Sequence, residues 1–187
     1  PYVMYEHQLA PIGRLVERLA AAGTVFEVNS WDGWQLLRER VPGARFEAGP
    51  GLGVLNAIAA AELVSLGAEC VSIALEIDRP QLECLCAAAE VPLAMTVYSR
   101  PPLMMTRAVM PGEYGQRPFV DARGIELVPY KEGPLTVLRP SRPYDWRRQR
   151  NEAVRAAHVV IDGRGGLPER TASGESDFLF NYDRTLR

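Results

Sequence analysis

Glu76 is the residue whose position carries the clearest chemical promise. It follows the apolar run Cys70 to Leu75, so its carboxylate is expected to leave the end of a buried strand and enter a loop from low-dielectric surroundings. Such a carboxyl either rises in pKa toward a useful acid/base value or is held ionised by a neighbouring cation. Arg100 is the natural cation. The segment Leu93 to Tyr98 alternates apolar β-formers and stops at Ser99-Arg100-Pro101-Pro102, so Tyr98 and Arg100 fall where a strand opens into a rigid turn. A structural ion pair tying two loops is an equal alternative, because such pairs also perturb pKa values without catalysing anything.

Three further positions invite a binding role. Gly51 and Gly53 belong to the loop Gly49-Pro50-Gly51-Leu52-Gly53, which could present backbone N–H groups to a phosphate or carboxylate, or could simply allow a tight turn. The loop is no dinucleotide fingerprint, since a glycine would be needed where Val54 stands, and no Walker lysine follows. Asn56 opens the next helix and is either a ligand contact or its N-cap. Only His7 and His158 are available as imidazoles, which leaves neither a zinc site nor a Ser-His-Asp arrangement with convincing parts.

The elements that must position these residues alternate along the chain. Tyr2 to Tyr5 reads as a short strand, and Ile12, Leu15, Val16 and Leu19 mark one face of a helix ending at Gly23. Val25 to Val28 is the next strand, followed by a helix through Trp34, Leu36 and Leu37 capped by Ser30 or Asp32. Strand Arg45 to Ala48, the glycine loop, and a helix carrying Leu55, Ala59, Leu63 and Leu66 come next; then strand Cys70 to Leu75 and a helix carrying Leu82, Leu85, Cys86 and Ala89. Alternation of this kind predicts an α/β fold with a parallel sheet and right-handed crossovers, whose C-terminal strand ends carry the chemistry. Counting His158 to Ile161, about six strands result, too few for a closed barrel of about 250 residues.

From Pro101 to Pro143 the helical period disappears among prolines and glycines, leaving β segments Pro118 to Asp121 and Ile125 to Tyr130 around an Ala122-Arg123-Gly124 turn. This stretch reads as an insertion over the C-terminal rim. A helix with Ala153, Val154 and Ala157 precedes the last strand, and Thr171 to Asp177 is polar enough for a tail. The expected organisation is one partial barrel-like domain over 1–170, with 101–143 as rim insertion and 171–187 as tail.

Two stretches carry a resemblance. GLGVLNAIAAAELVSLGAECVSIALEID and LAMTVYSRPPLMMTR are similar to the collagenase-like peptidase family (peptidase family U-32), whose members show a Gly-Leu-Asn-Val-x-Asn loop, a Leu-Ser-x-Glu-Leu strand end and a Val-Tyr-Gly-Arg-Leu-Pro-Leu-Met turn. The similarity runs from about Thr24 to Gly124, with Val120 to Gly124 matching the family's Asp-Arg-Lys-Gly hairpin. It implies a TIM-type barrel of which these (β/α) repeats are the later part, the first strands being supplied by a missing N-terminal segment or another chain, so that a homo-oligomer is also expected. It further implies a rim site with Glu76, Tyr98 and Arg100 as catalytic residues and Asn56, Gly51, Gly53 and Arg107 as substrate contacts, acting on a peptide or small aromatic substrate. The alternative is a non-catalytic partner subunit of the same family.

This chain departs from the family in ways that bear on chemistry. Ala94 stands where the collagenase-like signature has a glutamate, and Ser99 where it has a glycine. Family members often carry a four-iron four-sulfur cluster on cysteines that follow the Leu-Met turn. Here Ala108-Val109-Met110-Pro111 occupies that region, and no cysteine occurs after Cys86. Cys84 and Cys86 point apart on a helix, so no cofactor is expected.

Composition sets the remaining bounds. The 187 residues are 47% hydrophobic and their net charge is -2, which favours neither nucleic acid nor a membrane surface as partner. Arg139, Arg142, Arg147, Arg148, Arg150 and Arg155, with Tyr144 and Trp146, could grip RNA, but a solvated helix face neutralised by Asp145 and Glu152 is the simpler reading. No apolar run approaches the ~20 residues that span a bilayer, and the three cysteines suit a reducing compartment. A cytoplasmic location is the expectation.

Overall fold

A computed structural model of the chain describes residues 4–112, 117–122, 124–145 and 158–163. The described residues divide into two compact units, one formed by 4–95 with 158–159 and the other by the described residues of 96–145 with 160–163. The fold is mixed α/β with a parallel-strand sheet and helices.

In the first unit α1 (Glu6–Ala21) begins at Tyr5, whose N–H donates to the Gln8 side chain at 3.1 Å. The strand expected over Tyr2 to Tyr5 falls partly outside the described residues, and Tyr5 itself is the helix N-cap. Of the stripe expected to face inward, Ile12, Val16 and Leu19 are half-buried while Leu15 is exposed. The helix packs on α2 (Trp31–Arg40) at Gly13, where an added Cβ would lie 3.3 Å from Arg40 Nε. Ser30, rather than Asp32, caps α2, accepting the Gly33 N–H at 3.1 Å.

Strands β1 (Phe26–Val28), β2 (Phe46–Ala48), β3 (Ala68–Ser72) and β4 (Leu93–Ser99) follow one another in a parallel ladder, with Phe26 beside Phe46, Phe46 beside Ala68 and Val71 beside Leu93. Helices α2, α3 (Ala57–Ser65) and α4 (Arg79–Ala88) provide the crossovers, as parallel pairing requires. Asp78 caps α4 reciprocally with Gln81, and Pro80 lies in its first turn, where a missing N–H costs nothing. The core buries Ala48, Val54, Ala60, Val71, Leu82 and Leu85 almost completely. On α3 the buried positions are Ala60 and Leu63, not the Leu55–Ala59–Leu66 row expected from spacing.

Two strands differ from their sequence reading. The apolar run expected to be one strand to Leu75 leaves the ladder after Ser72; Ile73 makes only a bridge to Val54, and Leu75 and Glu76 form a turn. All seven residues of β4 are buried, so this segment is covered on both faces despite its alternating look.

In the second unit β5 (Met104–Thr106), β6 (Phe119–Val120), β7 (Glu126–Glu132) and β8 (Leu135–Pro140) form an antiparallel sheet in the order β5-β8-β7-β6. The hairpin read around Ala122 to Gly124 is present. Asp121 N–H donates to Ile125 O, Gly124 N–H donates to Asp121 O, and the Asp121 carboxylate accepts the Ile125 N–H at 2.9 Å. The tighter hairpin of β7 and β8 turns at Gly133-Pro134, with Gly133 at φ +61° as the first position of a two-residue turn demands. β9 (Tyr144–Asp145) runs antiparallel to the end of β4, pairing Ser99 with Tyr144 and Tyr98 with Asp145. β10 (His158–Ile161) is the expected last strand; beyond it Asp162 N–H donates to Tyr98 O at 2.8 Å. His158, expected as a core or edge residue, is exposed. The helix read around Ala153 to Ala157 and the 171–187 tail lie outside the described residues.

Candidate functional site

Asn29, the residue after β1, organises the strand-end loops of the first unit. Its Oδ1 accepts the Gly51 N–H at 3.0 Å and its Nδ2 donates to Glu27 Oε1 at 2.6 Å. Gly49 makes this possible: a Cβ there would lie 2.7 Å from Asn29 Cγ, so only glycine leaves room for the carboxamide. Gly49 N–H meanwhile donates to Val28 O at 2.8 Å, carrying the β1–β2 pairing into the loop.

The loop then makes one 3-10 turn over Pro50–Leu52 and closes at Gly53, whose φ of +67° is a left-handed value suited to glycine. Leu52 N–H donates to Gly49 O and Gly53 N–H to Pro50 O, at 3.1 and 3.2 Å. The donors expected to be offered to an anion are therefore engaged within the loop, and Gly51 and Gly53 shape the rim rather than present N–H groups. Asn56 is the N-cap of α3, accepting the Ala59 N–H at 2.9 Å, and it is exposed, so its Nδ2 remains at the surface. Both roles weighed for Asn56 are thus compatible.

Glu76 differs from its expectation. The turn that begins at Leu75 swings it out of the strand, and its side chain is exposed rather than set in low-dielectric surroundings. Arg100, Tyr98 and Arg107 belong to the second unit, whereas Glu76, Asn56, Gly51 and Gly53 belong to the first. Within the second unit Tyr98 and Ser99 are buried, Arg100 is half-buried, and Arg107 is exposed in the loop after β5. Arg139 Nη1 donates to Arg100 O at 2.8 Å and its Nη2 to Glu132 at 2.9 Å.

A different cavity, of about 460 Å³, lies in the first unit at the N-terminal ends of β2 and β3 and includes none of the expected site residues. Trp34, Arg38, Arg45, Phe46, Leu66 and Glu69 contribute to its walls. The Arg38 guanidinium lies 5.1 Å from the Trp34 ring centroid, and Trp31 meets Trp34 edge-on. Arg45 and Glu69 form a two-point ion pair at 2.7 and 2.9 Å. The hydrogen bond from Arg45 holds the Glu69 carboxyl below its usual range, and Glu69 in turn raises Arg45. Neither Asn29 nor this cavity was singled out from sequence; the Trp31-x-x-Trp34 pair was the available signal for the second.

The cysteines do not suit a four-iron four-sulfur cluster. Cys70 is buried on β3, while Cys84 is exposed and Cys86 half-buried on α4, and the chain has no fourth thiol. Burial first, then the charge of Glu47, push the Cys70 thiol up, away from the thiolate form a metal needs. Among the described residues no group of three or more His, Cys, Asp or Glu side chains is arranged to hold a metal ion, and no helix is long and apolar enough to cross a membrane. No family model matches the chain, and no curated protein or solved structure matches it either.

Proposed function

We propose that the chain is a collagenase-like peptidase family (U-32) protein whose repeats belong to a TIM-type barrel and whose strand-end loops receive a peptide or small aromatic substrate. The observation carrying this reading is the Asn29–Gly49–Gly51 arrangement. A side chain from one strand end fixes the loop of the next through a glycine that admits no substitute, which is the preorganisation a binding rim needs. Asn56 extends that rim with an exposed amide group. In this reading the protein hydrolyses peptides with Glu76 as acid/base.

The exposure of Glu76 favours a second reading, a non-catalytic partner subunit that keeps the rim for binding. Incubation of the whole chain with heat-denatured collagen separates the two. Cleavage that disappears in Glu76→Gln supports the hydrolase; retention of the gelatin without cleavage, lost in Asn56→Ala, supports the partner subunit. Neither cleavage nor retention would remove the family reading of the rim.

A further inference from the structure

Two polar side-chain atoms at the end of β4 are buried with no hydrogen-bond partner among the described residues, Ser99 Oγ and Arg100 Nε. Ser99 is only 2% exposed, so its hydroxyl has lost water without gaining a protein acceptor. Leaving such groups unpaired costs roughly 1–3 kcal/mol each, and a charged donor costs more. A pair of adjacent orphaned donors at a strand end therefore calls for an acceptor from outside the protein.

The surroundings define that acceptor. Arg100 is held from behind by Arg139, which donates to its backbone carbonyl, and Pro101 and Pro102 fix the chain beyond it. Arg139 also pairs with Glu132, so its charge is balanced within the second unit, and buried Asp145 stands beside Tyr98 across the β4–β9 ladder. The charge left for a ligand is that of one guanidinium, in a neighbourhood that repels a dianion. A guanidinium edge of Nε and Nη with a hydroxyl nearby matches a two-oxygen monoanion.

We infer that Ser99 and Arg100 form a carboxylate-binding subsite, which takes the terminal or side-chain carboxylate of a peptide-like ligand. This rests on the reading of Arg100 as a site residue, and on no catalytic step. It gives Ser99 a purpose that a glycine at the same position could not serve, since glycine has no hydroxyl.

The test is a titration of the ¹⁵N-labelled whole chain, following arginine Nε–H resonances, with N-acetylglycinate as the probe, N-acetylglycinamide as its uncharged counterpart and inorganic phosphate as a dianionic competitor. The expected result is a saturable shift of one Nε–H signal by the carboxylate alone, with that signal missing in Arg100→Lys and the apparent affinity about fivefold weaker in Ser99→Ala, the worth of one hydrogen bond. An unresponsive Arg100 signal, an equal shift by the amide, or tighter binding of phosphate would overturn the subsite. The wild-type titration against the amide decides the matter even if a variant fails to fold. It reads binding alone, so a chain that binds the carboxylate but cleaves nothing still upholds the subsite while refuting the hydrolase.

Discussion

The carboxamide of Asn29 fills the space that a side chain on Gly49 would need, and it uses that position to hold the Gly51 N–H 3.0 Å from its oxygen. Gly49→Ala must displace Asn29 and release both the Gly51 and Glu27 contacts. Overpacking of this kind costs about 1–3 kcal/mol. Because the two residues share one interaction, the double variant Gly49→Ala/Asn29→Ala should be less destabilised than the sum of the singles, measured by urea unfolding. Strict additivity would show that the two sites are independent.

Asn56 serves α3 as its cap whatever else it does. Asn56→Ala is expected to lose about 1 kcal/mol of stability and Asn56→Ser to lose little, because the hydroxyl can accept the same Ala59 N–H. If gelatin retention falls in both variants while stability falls in only one, the exposed amide group contributes to binding.

For the Arg45–Glu69 pair the expected signature is a titration. The Glu69 carboxyl is held below its usual value, so its contribution to stability is present above the ordinary carboxylate range and fades as pH falls through its own lower value. Arg45→Gln should move the ¹³C carboxyl titration of Glu69 back up toward the usual range. Both groups are solvent-exposed, so the effect on unfolding should be small and should weaken with added salt.

The three thiols should separate by reactivity. Exposed Cys84 is expected to react first with a disulfide reagent at mildly alkaline pH, and Cys84→Ser should abolish that fast phase. Cys70 should react only as the protein unfolds, since each unit of raised pKa removes about tenfold of the reactive thiolate and burial blocks access as well. Rapid labelling of Cys70 in the native protein would contradict its placement on β3.

The parallel alternation of the first unit was legible because helix periodicity, Ser30 and Asn56 at N-caps, and glycines at helix ends all agree locally. The boundary of β3 was not. The run Val71 to Leu75 stays apolar after the ladder has ended, so hydropathy could not reveal that Glu76 turns into solvent. Asn29 was equally hidden, because its role depends on the missing side chain of a glycine twenty positions later. β8 escaped notice through its flanking prolines, although Thr136 and Val137 are among the most buried residues of the second unit.

The Gly133-Pro134 turn has a kinetic consequence. It joins β7 and β8 through partners only three positions apart at Glu132 and Leu135, whereas Phe26 meets Phe46 across twenty positions. Closing a loop of about twenty residues rather than about two costs roughly 2 kcal/mol more chain entropy. The β7–β8 hairpin can therefore assemble on the microsecond scale of isolated hairpins, well before the parallel strands find their partners, and the antiparallel sheet gains an early template.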